Sequence, residues 1–330
     1  MADEVKGSLG LVVIGRNEGE RLRVCLQSAL GGCQAASAGR TVVYVDSGST
    51  DGSVALARSL GARVVALDMA QPFTAARARN AGLEALRGHD PAVQWVQFVD
   101  GDCELLPGWL NAAQAFLRDH SGHAVVAGRL RERHPERSVF NRLCDIEWNT
   151  PVGDAKACGG IAMMRLAPLQ AVGGFREDLI AGEEPELCVR LRAAGWKVHR
   201  LGADMALHDA AMLHWRQWWR RTVRGGFAFA QGAWLHGQAP EHHWVAETRR
   251  ALLWGAALPL AALVGAAVLG PWGLALLLVY PLQVLRLARK LRDVPRAFFL
   301  VAGKWAEAWG ALQFYAGQLR GRRRELIEYK

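Results

Sequence analysis

Four apolar runs of strand length, at residues 9–14, 41–45, 63–67 and 95–99, alternate with helical patterns at residues 20–30, 53–60, 74–87 and 107–118. Strands that are apolar at nearly every position are buried on both faces, and connections long enough to hold a helix let neighbouring strands run in the same direction. The alternation therefore predicts an α/β domain on a mostly parallel sheet with helices on both faces. Sheets of this kind bind ligands in the crevice at the carboxyl ends of their strands.

Those ends are polar here. Gly15-Arg16-Asn17-Glu18 follows the first strand, Asp46-Ser47-Gly48-Ser49-Thr50-Asp51 the second and Asp100-Gly101-Asp102 the fourth, all on one edge of the sheet. Ser49 and Thr50 read as turn and capping residues, whereas Asp46 ends a strand as Asp100 does. Two carboxylates one residue apart, as in Asp100 and Asp102, form either a tight turn or a set of oxygen ligands. A hard cation such as Mg²⁺ or Mn²⁺ takes such ligands and keeps positions open for substrate phosphates.

From residue 125 the pattern is mixed, with strands expected at 125–130 and 158–164. Further on lies Gly182-Glu183-Glu184-Pro185-Glu186-Leu187. Proline favours the first helical position, so Pro185 predicts a helix that starts there and ends near Gly195. Leu187, Leu191 and Ala194 would face inward, with Glu183 and Glu184 just ahead of the helix.

The last third differs in character. Residues 251–269 and 270–285 carry no charge and are divided by Gly270-Pro271. The first stretch, 19 residues, is long enough to span a bilayer, and the second is short. Arg249 and Arg250 precede the pair and Arg286 to Arg292 follow it, while the turn has no basic residue. By the positive-inside tendency both ends face the cytoplasm. A spanning hairpin at about 251–285, a re-entrant hairpin and a buried helical pair are the alternatives. Residues 298–315, with Trp305, Trp309 and Phe314, read as an amphipathic helix at an interface or in packing. The expected division is a catalytic domain at 1–235 and a helical C-terminal region at 236–330.

Composition limits the partners. The net charge of +9 is concentrated in the last third, at Arg216 to Arg224, Arg249-Arg250, Arg286 to Arg292 and Arg320 to Arg324. These clusters flank apolar segments, which suits an anionic membrane surface rather than nucleic acid. The six cysteines, Cys33 among them, form no Cys-x-x-Cys pair, so neither a zinc framework nor a disulfide framework is indicated. The polar start, Met1-Ala2-Asp3-Glu4-Val5-Lys6, has no apolar signal core, and a cytoplasmic N-terminal region is expected.

Five motifs, in order, resemble those of glycosyltransferase family 2, the inverting transferases of GT-A type, over about residues 8–230. They are Val12-Val13-Ile14-Gly15-Arg16-Asn17-Glu18, Val45-Asp46-Ser47-Gly48-Ser49-Thr50-Asp51, Ala76-Arg77-Ala78-Arg79-Asn80-Ala81-Gly82, Phe98-Val99-Asp100-Gly101-Asp102, and the Gly182 to Leu187 stretch. The resemblance implies a GT-A fold and a nucleotide-diphosphate-sugar donor. It implies that Asp46 contacts the base or ribose, that Asn17 and Glu18 line the same pocket, and that Arg79-Asn80 lies near the nucleotide and phosphates. Asp102 would bind Mg²⁺ or Mn²⁺ directly, Asp100 would hold the ribose or the metal's water, and His208 resembles a further metal ligand of several members. Glu184 stands at the position of the general base, where many members have Asp, and Glu183 is the alternate.

Gln217-Trp218-Trp219-Arg220 resembles the Gln-x-x-Arg part of a motif of processive polysaccharide synthases, in which a Trp follows; here Arg221 stands in that place. Gln217, Arg220 and Arg221 would contact phosphate or acceptor, or lie on an amphipathic membrane-facing helix. The expected protein is a glycosyltransferase on the cytoplasmic face of the cell membrane, acting on a lipid-linked or cell-surface saccharide in polysaccharide biosynthesis. Its rivals are a nucleotidyltransferase, which lacks support because no Gly-rich loop with Lys follows the first strand, and a non-catalytic scaffold of polysaccharide assembly.

Overall fold

The structure, a computed structural model, describes residues 8–31 and 40–321. Met1 to Lys6, Cys33 and Arg322 to Arg324 lie outside the described residues. The chain divides into two compact units: Met1–Glu136, Cys144–Leu179 and Glu183–Ala211 form the first, and Arg137–Leu143, Ile180–Gly182 and Met212–Lys330 the second. The second unit thus takes up the chain from Met212, earlier than the expected boundary at 235.

The first unit begins with β1 (Ser8–Gly15), α1 (Glu20–Gly31), β2 (Val42–Asp46), α2 (Ser53–Ser59), β3 (Arg63–Ala66), α3 (Ala75–His89), β4 (Val93–Asp100), β5 (Cys103–Leu105) and α4 (Trp109–Asp119). After β6 (His123–Glu132) and α5 (Val139–Glu147), whose residues up to Leu143 belong to the second unit, come β7 (Gly153–Ala155), β8 (Ala162–Arg165), α6 (Leu166–Ala171), α7 (Glu183–Ala193) and β9 (Lys197–His208). The sheet order is β3-β2-β1-β4-β8-β6-β9-β5, with β7 on β9. β1 pairs in parallel with both β2 and β4, so the strand order reverses direction at β1 and opens a crevice there. α3 packs flat against this part of the sheet because Gly82 has no side chain. A Cβ there would stand 2.4 Å from Val12 Cγ1 and 2.8 Å from Val45 Cγ2.

The sheet is mixed rather than mostly parallel beyond β4, since β8 runs antiparallel to both β4 and β6. The strand expected at 158–164 is reduced to Ala162–Arg165. Its first residues leave the ladder because the backbone N–H groups of Cys158 and Gly159 donate to the Glu184 carboxylate instead, and Gly159 takes a positive φ of 83°. α7 begins at Glu183, two residues before Pro185. Proline is tolerated anywhere in the first turn, where its missing N–H has no intrahelical partner to lose. Both glutamates therefore sit inside the helix, on its N-terminal turn. Leu187 and Leu191 are buried, but Ala194 lies past the helix end and is exposed.

The second unit is helical, with α8 (Trp215–His236), α9 (Val245–Leu252), α10 (Leu258–Leu269), α11 (Val279–Leu291) and α12 (Val294–Leu319). α8 and α12 approach backbone to backbone at glycines: a Cβ on Gly226 would stand 2.0 Å from Glu307 O, and one on Gly310 2.0 Å from Val223 O. Phe227, Ala230, Ala311 and Phe314 pack with Ile180 in this core. Residues Val245–Leu291 form one helical run, long and apolar enough to cross a membrane, and only 6% of its most apolar stretch is buried. The run is not straight. Tyr280 Oη donates to Trp254 O, and their rings lie 6.0 Å apart. Twenty-six residues of straight helix would separate them by roughly 39 Å. The chain folds back at Gly270, φ 64°, where Gly265 and Gly273 meet backbone to backbone.

Candidate active site

The ends of β1, β2 and β4 are tied together before any side chain is considered. Ser47 N donates to Gly15 O (3.1 Å) and Gly101 N to Ile14 O (2.8 Å). Asn17, at φ 55°, cross-links the first two loops: its N–H donates to Ser49 Oγ (2.9 Å) and its Oδ1 accepts from Thr50 N (2.7 Å). Glu18 pairs with Arg21 at 2.8 Å. Asp46 is buried, and its carboxylate accepts from Gly48 N, Ser49 N and Tyr44 Oη at 2.9–3.1 Å. Its carboxylate is thus turned into its own loop, which it shapes.

Arg79 is the hub of the crevice. It projects from α3, is 3% exposed, and bonds Asp100 Oδ1 at 2.9 Å and Glu183 Oε1 at 2.6 Å. It also reaches Gly160 O at 3.4 Å and lies 5.7 Å from the centre of the Phe175 ring. Burial works against its charge, but the carboxylates of Asp100 and Glu183 outweigh it and hold the guanidinium above its ordinary pKa. Arg79 thus fixes Asp100, from β4, beside Glu183, from α7. The neighbouring Asn80 turns elsewhere. Its amide clamps the Phe175 backbone on both sides, at 2.8 and 3.0 Å, and Glu177 Oε1 at 2.9 Å, so it holds a loop.

Asp102 and His208 meet because β5 pairs with the end of β9, placing Cys103 opposite His208. Asp102 Oδ2 and His208 Nε2 are 3.1 Å apart, with the Trp148 ring 4.7 Å from the imidazole. One ligand atom each from Asp102, Cys103 and His208 lies within 4.8 Å of the others. The oxygen and nitrogen suit a hard divalent cation better than the thiol does. Adjacent ligands of an octahedral ion at about 2.1 Å stand about 3 Å apart, which matches the Asp102–His208 separation.

Glu184 departs from the expected arrangement. It is 3% exposed, and its carboxylate accepts from Cys158 N (2.7 Å), Gly159 N (2.9 Å), Cys158 Sγ (2.8 Å) and Cys188 Sγ (2.9 Å). Burial pushes its pKa above the ordinary carboxylate range, against the pull of these donors. Three of these donors meet Oε1 and only Gly159 N meets Oε2, and Glu183 is the carboxylate that bonds Arg79 directly. The loop Cys158-Gly159-Gly160 and its partner Cys188 were not legible as functional, because Cys158 and Cys188 are 30 residues apart in sequence. The Glu184–Cys188 spacing of one helical turn was the available signal.

Gln217 lies in the second unit and caps α8: its Oε1 accepts from Leu213 N and His214 N at 2.8 and 2.9 Å. On the same helix Arg220 is exposed and Arg221 half-buried.

A mixed α/β sheet with carboxylates gathered at the ends of β1, β2 and β4 defines a glycosyltransferase of the GT-A type. Residues 11–157 match the family model described as glycosyl transferase family 2. The mannosyltransferase PcManGT from Pyrobaculum calidifontis, solved in complex with GDP-Man and Mn²⁺, has a similar structure. It superposes with a TM-score of 0.65 at 20% identity, over 93% of this chain and 86% of that one. TarS 1–349 from S. aureus in complex with UDP-GlcNAc has a TM-score of 0.52 at 15% identity, over 96% of this chain and 92% of that one. No curated protein matches the sequence.

Proposed function

We propose that the chain transfers a sugar from a nucleoside diphosphate sugar to an acceptor hydroxyl by a metal-dependent, inverting displacement. The observation that carries this reading is the convergence of Asp102 with His208, and of Asp100, Arg79 and Glu183, on the crevice beside β1 and β4. PcManGT holds GDP-Man and Mn²⁺ and TarS holds UDP-GlcNAc on related folds, which supports a donor of this class. Asp102 and His208 are the residues suited to hold Mn²⁺ or Mg²⁺. When bound, the cation supplies positive charge against the departing diphosphate.

The remaining work falls to the chain. Asn17, Glu18 and the loop shaped by Asp46 would receive the nucleoside, and Asp100, fixed by Arg79, the ribose or a metal-bound water. Glu183 would take the proton from the acceptor hydroxyl as its oxygen bonds to the anomeric carbon and the carbon–oxygen bond to the diphosphate breaks. Attack opposite the leaving group inverts the configuration. A panel of nucleoside diphosphate sugars, assayed with and without Mn²⁺, is expected to yield nucleoside diphosphate with at least one donor only when the metal is present. Metal-independent release would remove the metal from the reading. Pyrophosphate release from a nucleoside triphosphate would point to the nucleotidyltransferase.

The run Val245–Leu291 would attach the enzyme to the cytoplasmic face of the cell membrane as a hairpin, giving it lipid-linked or cell-surface saccharide acceptors. Leu263 and Val268 are 63% and 75% exposed, and Trp272, at the fold-back, 83%. Arg249 and Arg250 stand at one end and Arg286 to Arg292 at the other. The full chain is expected to float with vesicles containing anionic lipid, and Leu263→Asp with Val268→Asp to leave it in the soluble fraction. Flotation unchanged in this double variant would exclude the apolar run as the anchor.

A further inference from the structure

Three histidines of the chain's ten gather at the far end of the sheet from the candidate active site. β9 carries His208 at one end and His199 near the other, nine residues away, or roughly 30 Å at ~3.3 Å per strand residue. β7 pairs with β9 so that Asp154 stands opposite His199, and on the other side of β9 the first residue of β6, His123, stands opposite Lys197. Asp154 Oδ1 lies 2.9 Å from His199 Nδ1 and 3.0 Å from His123 Nε2. One ligand atom from each of the three lies within 4.8 Å of the others.

We infer that His123, Asp154 and His199 form a second metal site, for a zinc-class divalent cation, that staples β6, β9 and β7 together. Two imidazoles and one carboxylate are a donor set that such ions take, with water completing the coordination. The separations are close to those required. Ligands about 2.0–2.1 Å from a tetrahedral ion stand roughly 3.3 Å apart, so the two nitrogens need move only about 0.4 Å from the carboxylate oxygen.

The rings are already oriented. Phe116 stacks on His199 at 4.5 Å and on His120 at 4.1 Å, and meets His123 edge-on at 5.1 Å. Fixed rings lower the ordering cost of coordination. The imidazoles are mostly covered, at 12% and 20% side-chain exposure, while Asp154 at 52% leaves the site open to water. Among the described residues the competing cation is Lys197, whose Nζ is 3.4 Å from the other oxygen, Oδ2. β7 leads directly into the Cys158-Gly159-Gly160 loop, so an ion here would steady the segment that carries the Gly160 carbonyl to Arg79.

The test is metal binding by the full chain without an affinity tag, using Co²⁺ and Zn²⁺ in equilibrium dialysis, with the visible Co²⁺ spectrum as a signature. Paired His123→Gln and His199→Gln substitutions are expected to remove one bound equivalent and the corresponding d–d bands, leaving the equivalent at Asp102 and His208 in place. Lys197→Met keeps all three ligands and removes the competing ammonium, and is expected to tighten binding several-fold. Equal stoichiometry in wild type and the paired variant would overturn the site, as would a Co²⁺ spectrum dominated by thiolate charge transfer from Cys158 and Cys188. Unchanged or weaker binding by Lys197→Met counts against it even if the paired variant does not fold.

Discussion

Asp102→Asn is expected to lower metal-dependent sugar transfer on the order of 10³-fold, the scale seen when a single group stabilising transition-state charge is removed. The substitution is nearly isosteric, so its effect is not one of packing. Asp102 is 5% exposed, and its carboxylate faces both the Cys103 thiol at 3.5 Å and His208 at 3.1 Å. An amide keeps the shape and loses the charge that would hold a cation. Titrating activity against Mn²⁺ separates this from misfolding: the variant should melt near the wild-type temperature yet need far more Mn²⁺. His208→Gln should shift the same Mn²⁺ curve by a smaller amount, because nitrogen is the secondary donor of the pair. Wild-type activity in Asp102→Asn would remove the metal station from this edge of the sheet.

The strand ends are legible because a buried parallel strand is apolar at nearly every position until it emerges: β2 and β4 stop at Asp46 and Asp100, and β1 stops at Gly15, just before Arg16. Expected and observed helices near them agree within about two residues for the same reason, since their amphipathic period is uninterrupted. Partner choice was not legible. Arg79 and Asn80 are adjacent, and sequence alone treats them as one element. A helix points successive side chains about 100° apart, so Arg79 enters the crevice and Asn80 grips Phe175. Glu183 and Glu184 separate in the same way. β8 was overestimated because a polar side chain, Glu184, outcompeted the sheet ladder for the N–H groups of Cys158 and Gly159. Gln217 resembles part of a synthase motif through its spacing to Arg220, and three residues after His214 is also where a capping side chain belongs.

That angular separation gives the two glutamates opposite expected phenotypes. Glu183→Gln should lower kcat by about 10²–10⁴-fold, the usual contribution of a positioned base, with the donor KM changed only a few-fold. The amide oxygen can still accept from Arg79, so Arg79 and Asp100 should stay in place and stability should change little. Glu184→Gln should do the reverse. A carboxylate that accepts from two N–H groups and two thiols is replaced by a group with one accepting oxygen, and its NH₂ then faces donors. Leaving buried donors unsatisfied costs about 1–3 kcal/mol, which lowers the melting temperature by roughly 2–4 °C per kcal/mol in a domain of this size. Activity should fall only as far as the loosened Gly160 loop releases Arg79. Glu184→Asp, one methylene shorter, should recover part of the stability. Loss of the acidic limb of the pH–kcat profile in Glu184→Gln, with melting unchanged, would return the base to Glu184 and leave Glu183 as an anchor for Arg79.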